Sequence, residues 1–164
     1  MPSLGEGPLL LVAALALSAL GDAFLSRDND KAFLGGLASF LAAHLAYIAL
    51  FFLAGAGGEL LWQPWRAVMA VAMVAFATTM LAMLWRRVGP DLRLPVAAYA
   101  AAILGMGVSA LTLDNVWVIA GAVLFMASDG LLATAISPHR EWMRYAVWAL
   151  YYMAQLSITL GFLL

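Results

Sequence analysis

The chain has 164 residues, 66% of them hydrophobic and 10% charged, with a mean hydropathy of +0.98. A soluble domain is about 45–50% apolar and about 25% charged, so this excess is more than a buried core absorbs and makes lipid the solvent. A net charge of −1 provides no basic face for nucleic acid, and the lack of any cysteine excludes disulfides and thiolate metal sites.

A bilayer-spanning helix needs about 20 mostly apolar residues. Six segments meet this requirement: 8–25, 31–53, 65–85, 94–112, 116–136 and 143–164. The expected fold is therefore all-α, a polytopic integral membrane protein of about six transmembrane helices in one domain, 1–164. The first segment reads as a retained helix and not as a secretory signal peptide, because Met1 to Gly7 contain Glu6 and no Lys or Arg.

The breaks between segments are chemically plain. Arg27-Asp28-Asn29-Asp30-Lys31 is a polar turn with Asp30 as the expected cap of the second helix. Gly55 to Pro64 holds glycines, Glu59 and a proline, and Arg86 to Pro95 holds three arginines and two prolines. Thr112 to Asn115 offers polar caps for the fifth helix. Pro138 ends that helix, since proline cannot continue the hydrogen-bond ladder.

Basic residues alternate with these breaks. The loops after the first, third and fifth helices hold Arg27, Lys31, Arg86, Arg87, Arg93, Arg140 and Arg144, whereas the other side holds only Arg66. Positive charge stays in the cytoplasm. The expectation is a bacterial inner-membrane protein with both termini outside. Trp62, Trp65, Trp85, Trp117 and Trp142 lie at expected helix ends, as interfacial anchors do.

Two carboxylates interrupt the apolar runs, Asp22 in Ser18-Ala19-Leu20-Gly21-Asp22 and Asp129 in Ala127-Ser128-Asp129-Gly130. A charge at the centre of a spanning helix costs roughly 2.5 kcal/mol or more. At 1.5 Å per residue, Asp22 lies about 7 Å and Asp129 about 10 Å short of their helix ends, which puts both in the cytoplasmic half. The return helices carry the other polar groups: His44 and Tyr47 on one face, Tyr151 and Gln155 on one face, and Tyr152 beside Tyr151. His44 and Tyr151 each follow an aspartate by the same interval, which suggests a parallel repeat of helices 1–2 and 5–6. Taken singly, each of these residues also has a plain structural role, as a helix-end carboxylate, an interhelical hydrogen bond or packing.

Gly21-Asp22, Phe33-Leu34-Gly35-Gly36…Phe40…His44-Leu45-Ala46-Tyr47, Ser128-Asp129-Gly130-Leu131-Leu132 and Tyr151-Tyr152-x-Ala154-Gln155 together resemble the lysoplasmalogenases, the YhhN-like bacterial proteins and their animal transmembrane relatives. The likeness covers nearly the whole chain. Members of that family usually begin with one or two further helices, one with a Lys-Pro pair, whereas this sequence starts at the helix bearing Asp22. The resemblance implies hydrolysis of the vinyl ether of a lysoplasmalogen, giving a fatty aldehyde and a glycerophospho-ethanolamine or -choline.

That chemistry needs a proton for the carbon β to the ether oxygen and an anion beside the resulting oxocarbenium ion. Asp22 and Asp129 in a low-dielectric pocket meet both needs as a pair that titrates together. His44, Tyr47, Ser128, Tyr151, Tyr152 and Gln155 would orient them and the water. Arg27, Lys31, Arg140 or Arg144 would take the lipid head group. The expected partners are a lysophospholipid and the bilayer, with no nucleic acid, metal or other cofactor.

Two other classes fit the same residues. Paired intramembrane carboxylates also mark proton- or cation-coupled transporters, although polar groups confined to one half of the bilayer argue against a through-path. A non-catalytic lipid-binding subunit would keep lipid affinity without both aspartates. A zinc hydrolase is a further rival, with Asp22, Asp129 and His44 as ligands, but a three-histidine site is excluded because the chain has only two histidines.

Overall fold

In hydrocarbon a backbone must satisfy its own hydrogen bonds, so the apolar runs become helices. The computed structural model describes residues 6–27, 29–55, 57–134 and 141–164. Among them are six α-helices: α1 (Glu6–Leu25), α2 (Asp30–Ala54), α3 (Pro64–Trp85), α4 (Pro90–Ala110), α5 (Val116–Thr134) and α6 (Glu141–Leu163). A short 3-10 turn, Gly58–Trp62, joins α2 to α3. All six helices are long and apolar enough to cross a bilayer, the architecture of an integral membrane protein.

Two boundaries differ from the sequence expectation. The cap of α2 is Asn29, not Asp30: Asn29 has an extended backbone and its side chain accepts from Ala32 N at 2.8 Å, while Asp30 is already the first helical residue. Helix α4 begins at Pro90, four residues earlier than expected. Proline at the first helical position forfeits an N–H that has no partner there anyway, and Pro95, still near the N-terminal end, leaves the helix unbroken. At the fifth helix the expected capping occurs. Asn115 Oδ1 accepts from the amides of Trp117 (3.0 Å) and Val118 (3.2 Å), and its Nδ2 donates to Gly161 O at 2.7 Å, tying the end of α6 to the start of α5.

The helices form two close hairpins, α1–α2 and α5–α6, with α4 packed against α2 and α5, and α3 outside it. Small residues permit the close approach. A Cβ on Gly21 would stand 2.6 Å from the Phe40 ring, and one on Gly121 would stand 2.9 Å from Ala154 O. Between the hairpins the space is filled by large side chains. Phe40, Tyr47, Phe51, Met106, Phe125, Tyr151 and Ile158 belong to one buried cluster shared by α1, α2, α4, α5 and α6. A second cluster, with Met73, Met80, Ile103 and Met126, holds α3 to α4 and α5.

Arg66 is buried at the start of α3. Its Nη1 donates to the carbonyls of Leu111 and Leu113, each at 2.6 Å, its Nε to Gln63 Oε1 at 3.1 Å, and its Nη2 to Asp114 Oδ1 at 3.2 Å. The guanidinium also lies 4.6 Å from the Trp65 ring centre. It thus closes the C-terminal end of α4, where carbonyls lack partners and positive charge is favoured. This role explains why one arginine stands on the side that is otherwise free of basic residues.

Replacing Arg66 with Met strands those carbonyls, at a cost of about 2–3 kcal/mol. Thermal unfolding in detergent should show a midpoint lowered on the order of 5 °C. Arg66→Lys should recover only part of the loss, because an ammonium lacks the planar fork of donors.

Candidate active site

An offset of 107 positions relates Gly21 to Ser128, Asp22 to Asp129, Phe40 to Val147 and His44 to Tyr151. The contacts follow it. Gly21 packs on Phe40 in the first hairpin, and Ser128 Oγ donates to Val147 O at 3.0 Å in the second. The aspartates then take their partners crosswise. Asp129 on α5 lies against His44 of α2, and Asp22 on α1 lies near the Tyr151 hydroxyl of α6. Each hairpin supplies one carboxylate and the group that holds the other hairpin's carboxylate. Among the described residues no hydrogen bond runs from one carboxylate to the other.

The Asp129 centre is buried. His44 is inaccessible to solvent and Asp129 is 8% exposed. His44 Nδ1 lies 2.6 Å from the Phe40 carbonyl of its own helix, and Nε2 lies 3.4 Å from Asp129 Oδ2. The Tyr99 hydroxyl of α4 donates to the same Oδ2 at 3.2 Å, and its ring packs edge-on against His44 with centroids 5.3 Å apart.

This geometry constrains the protons. A carbonyl only accepts, so Nδ1 carries hydrogen. A neutral ring then presents a bare lone pair at Nε2 to a carboxylate oxygen, which is repulsive. A proton on the Nε2–Oδ2 axis would turn that contact into an attraction.

The Asp22 centre is partly open. The Tyr151 hydroxyl is within reach of Asp22, Gln155 and Ser18. Gln155 Oε1 accepts from the Tyr47 hydroxyl of α2, so this centre also draws on both hairpins. Phe125 joins the two centres, packing edge-on against His44 (4.8 Å) and Tyr151 (5.5 Å), and Phe40 does the same against Tyr151 (6.0 Å). Helices α1 and α6 do not pack closely on one another, and Asp22 of α1 is half-buried.

Of the residues singled out in the sequence, Asp22, His44, Tyr47, Asp129, Tyr151 and Gln155 come together. Ser128 does not face the cluster, since its hydroxyl is spent on the α6 backbone. Tyr152 is 53% exposed and sits at the cluster's edge, its ring against Trp148 (5.3 Å) and against Tyr151 (5.5 Å). Arg27, Lys31 and Arg144 are exposed at helix ends, and Arg140 lies outside the described residues. Tyr99 is absent from the sequence reading. Its only signal is a hydroxyl within an alanine-rich span, and nothing local ties it to Asp129, thirty positions on. Among the described residues no three His, Asp or Glu side chains gather as metal ligands; His44 and Asp129 make two.

Comparison with known proteins follows this geometry. The chain is 36% identical to a lysoplasmalogenase of Mycobacterium bovis over 158 residues, which is 93% of this chain and 59% of that protein. It is 33% identical to the human lysoplasmalogenase TMEM86B over 93% of this chain and 62% of that protein, and 34% identical to the rat protein of that name over 96% and 63%. The chain therefore spans about three-fifths of the length of these curated relatives. No solved structure matches it. The YhhN family model matches residues 1–162, almost the entire sequence, and on that extent the chain belongs to the YhhN family.

Proposed function

We propose that this chain is a membrane hydrolase that cleaves the vinyl ether of 1-alkenyl lysophospholipids to a fatty aldehyde and a glycerophospho-alcohol. One observation carries the reading: a buried His44–Asp129 pair, Nε2 3.4 Å from Oδ2, is linked through the Phe125 and Tyr151 rings to the centre of a second, half-buried carboxylate, Asp22, and in this reading the pair carries the proton that is transferred. The names of the relatives, lysoplasmalogenase in each case, support the same substrate class.

The chemistry then runs as general acid catalysis. The proton on the His44–Asp129 pair goes to the alkenyl carbon β to the ether oxygen, and the electrons of the double bond form the new C–H bond. The oxocarbenium ion that results is stabilised by the nearby Asp22 carboxylate. Water adds to that cation and gives up a proton to Asp22, forming a hemiacetal. Collapse of the hemiacetal breaks its C–O bond to glycerol: Asp22 returns its proton to the glycerol oxygen, the hemiacetal hydroxyl gives its proton back to the His44–Asp129 pair, and the aldehyde leaves. Tyr99 holds Asp129, and Tyr151 holds Asp22. The single chain of the lipid lies among the helices, and its phosphate lies toward Arg27, Lys31 and Arg144, with Arg140 a further candidate in the same loop.

A lipid-cleaving site fits better than a transport path. Along α4, Tyr99 and Leu111 are twelve residues, or about 18 Å, apart. Ile103, Met106 and Ala110 fill that interval and are wholly buried, alongside Leu50 and Phe51 of α2. The one hydroxyl of α4 in that interval, Ser109, is spent on Met106 O of its own helix at 2.9 Å, so these side chains offer a crossing proton or cation no relay.

The distribution of basic residues supports an orientation in the cytoplasmic membrane with both termini outside and the site in the cytoplasmic half. The absence of cysteine makes that directly measurable. A membrane-impermeant maleimide should label Gly58→Cys in intact cells, and should label Val88→Cys only after the membrane is opened.

Purified protein in detergent should release fatty aldehyde from a 1-alkenyl lysophospholipid and bind the saturated ether without reacting. Asp129→Asn, Asp22→Asn and His44→Asn should each lower turnover at least about 100-fold. Undiminished turnover in both aspartate variants would remove the proposed chemistry. Tyr99→Phe, which keeps the ring and loses the bond to Asp129, should lower kcat about 10- to 100-fold with little change in KM.

A further inference from the structure

Three buried side-chain atoms have no hydrogen-bond partner among the described residues: Ser18 Oγ, His44 Nε2 and Gln155 Nε2. His44 Nε2 is accounted for by its approach to Asp129. The other two belong to the Asp22 centre, on α1 and α6. Ser18 is 1% exposed and Gln155 is 7% exposed, so neither is satisfied by bulk solvent. A buried polar group without a partner is destabilising, and native structures seldom keep one without a use.

Both residues lie beside Tyr151, Gln155 one turn on along α6 and Ser18 on α1, one turn before Asp22. The Tyr47 hydroxyl occupies Gln155 Oε1, which leaves the amide nitrogen as the unsatisfied end of that side chain. Ser18 Oγ and Gln155 both approach the Tyr151 hydroxyl, which in turn reaches Asp22. Ser18 approaches that hydroxyl without forming a bond to it. The unsatisfied set is thus an amide that donates and a hydroxyl that both donates and accepts, beside the half-buried carboxylate of Asp22. A ligand hydroxyl complements it: its oxygen accepts from Gln155 Nε2 and its hydrogen goes to Ser18 Oγ.

We propose that Ser18 and Gln155 form a subsite for the free glycerol hydroxyl of a one-chain lipid, and that this subsite selects lysolipids over two-chain lipids. The inference rests on the substrate class proposed above. In a 1-alkenyl lysophospholipid that hydroxyl sits on the carbon next to the one bearing the ether oxygen, so binding it brings the vinyl ether to Asp22. In a two-chain lipid an ester replaces the hydroxyl; it has no hydrogen to give and adds bulk where both groups are buried. The attacking water has the same hydrogen-bonding chemistry, and the test separates the two.

The probes are two unreactive ligands, a saturated 1-alkyl lysophospholipid and its 2-deoxy analogue, with affinity measured on the whole protein in nanodiscs. Wild type should bind the hydroxyl-bearing ligand on the order of 10- to 100-fold more tightly. Ser18→Ala and Gln155→Glu, the latter keeping an oxygen for Tyr47, should bring that ratio close to one by weakening the hydroxyl-bearing ligand alone. Unchanged affinity for the 2-deoxy analogue then shows that the variants are folded, and if Gln155→Glu does not fold, Ser18→Ala decides alone. Equal binding by wild type, or a ratio that survives substitution, would overturn the subsite. So would variants that bind both ligands as wild type does yet turn over 1-alkenyl lipids with and without the hydroxyl equally slowly, the mark of a water holder. Because neither probe reacts, failure of aldehyde release with a preserved ratio would sink the proposed reaction and leave the subsite standing.

Discussion

A carboxylate in the apolar part of a bilayer persists only if the protein itself supplies its hydrogen bonds, because lipid offers none and water is far away. This chain meets the requirement reciprocally. Asp129 on the second hairpin leans on His44 of the first, and Asp22 on the first is reached by Tyr151 of the second. Neither hairpin can satisfy its own aspartate with these groups, so the polar centres exist only when the two are assembled. Much of the architecture follows from that dependence. The hairpins must face each other, at matching heights, with α4 holding the register and lending Tyr99.

The space between the hairpins serves the same end. Inside each hairpin, glycines bring backbones together, whereas between hairpins Phe40, Tyr47, Phe125 and Tyr151 keep them apart. Edge-on ring packing leaves the imidazole and phenol groups fixed in angle, with their polar ends turned toward the aspartates. A bundle closed by small residues alone would have no room for a substrate. A bundle opened by flexible side chains would not hold a proton donor steady. The aromatic wall provides both separation and orientation.

The molecule also contains a second buried polar network, and the contrast with the first is informative. Arg66 spends its donors on carbonyls at the end of α4 and on Gln63 and Asp114. That network is closed, with its partners supplied by backbone and nearby side chains. The network around Asp22 and Asp129 is left open, with Ser18 Oγ, Gln155 Nε2 and His44 Nε2 all without a hydrogen-bond partner among the described residues. Buried polar groups that are fully paired hold a fold together, and buried groups left incomplete are where a ligand can contribute.

Much of this was legible in the sequence for a simple reason. Hydrophobic runs of bilayer length can only be helices, so six spans, their short turns and the two misplaced aspartates could be read directly from composition along the chain. The interval common to Asp22–His44 and Asp129–Tyr151 even indicated that the hairpins correspond. What a linear reading could not supply is which face of each helix meets which neighbour, because helices with apolar residues all round carry almost no facial signal. Tertiary packing alone decided that His44 serves Asp129 and not Asp22, that Tyr99 joins them from α4, that Ser128 turns elsewhere and Tyr152 sits at the edge, and that Arg66 closes a helix end. Those outcomes depend on how side chains of particular volumes fit between hairpins, a property of the assembled bundle and not of any one segment.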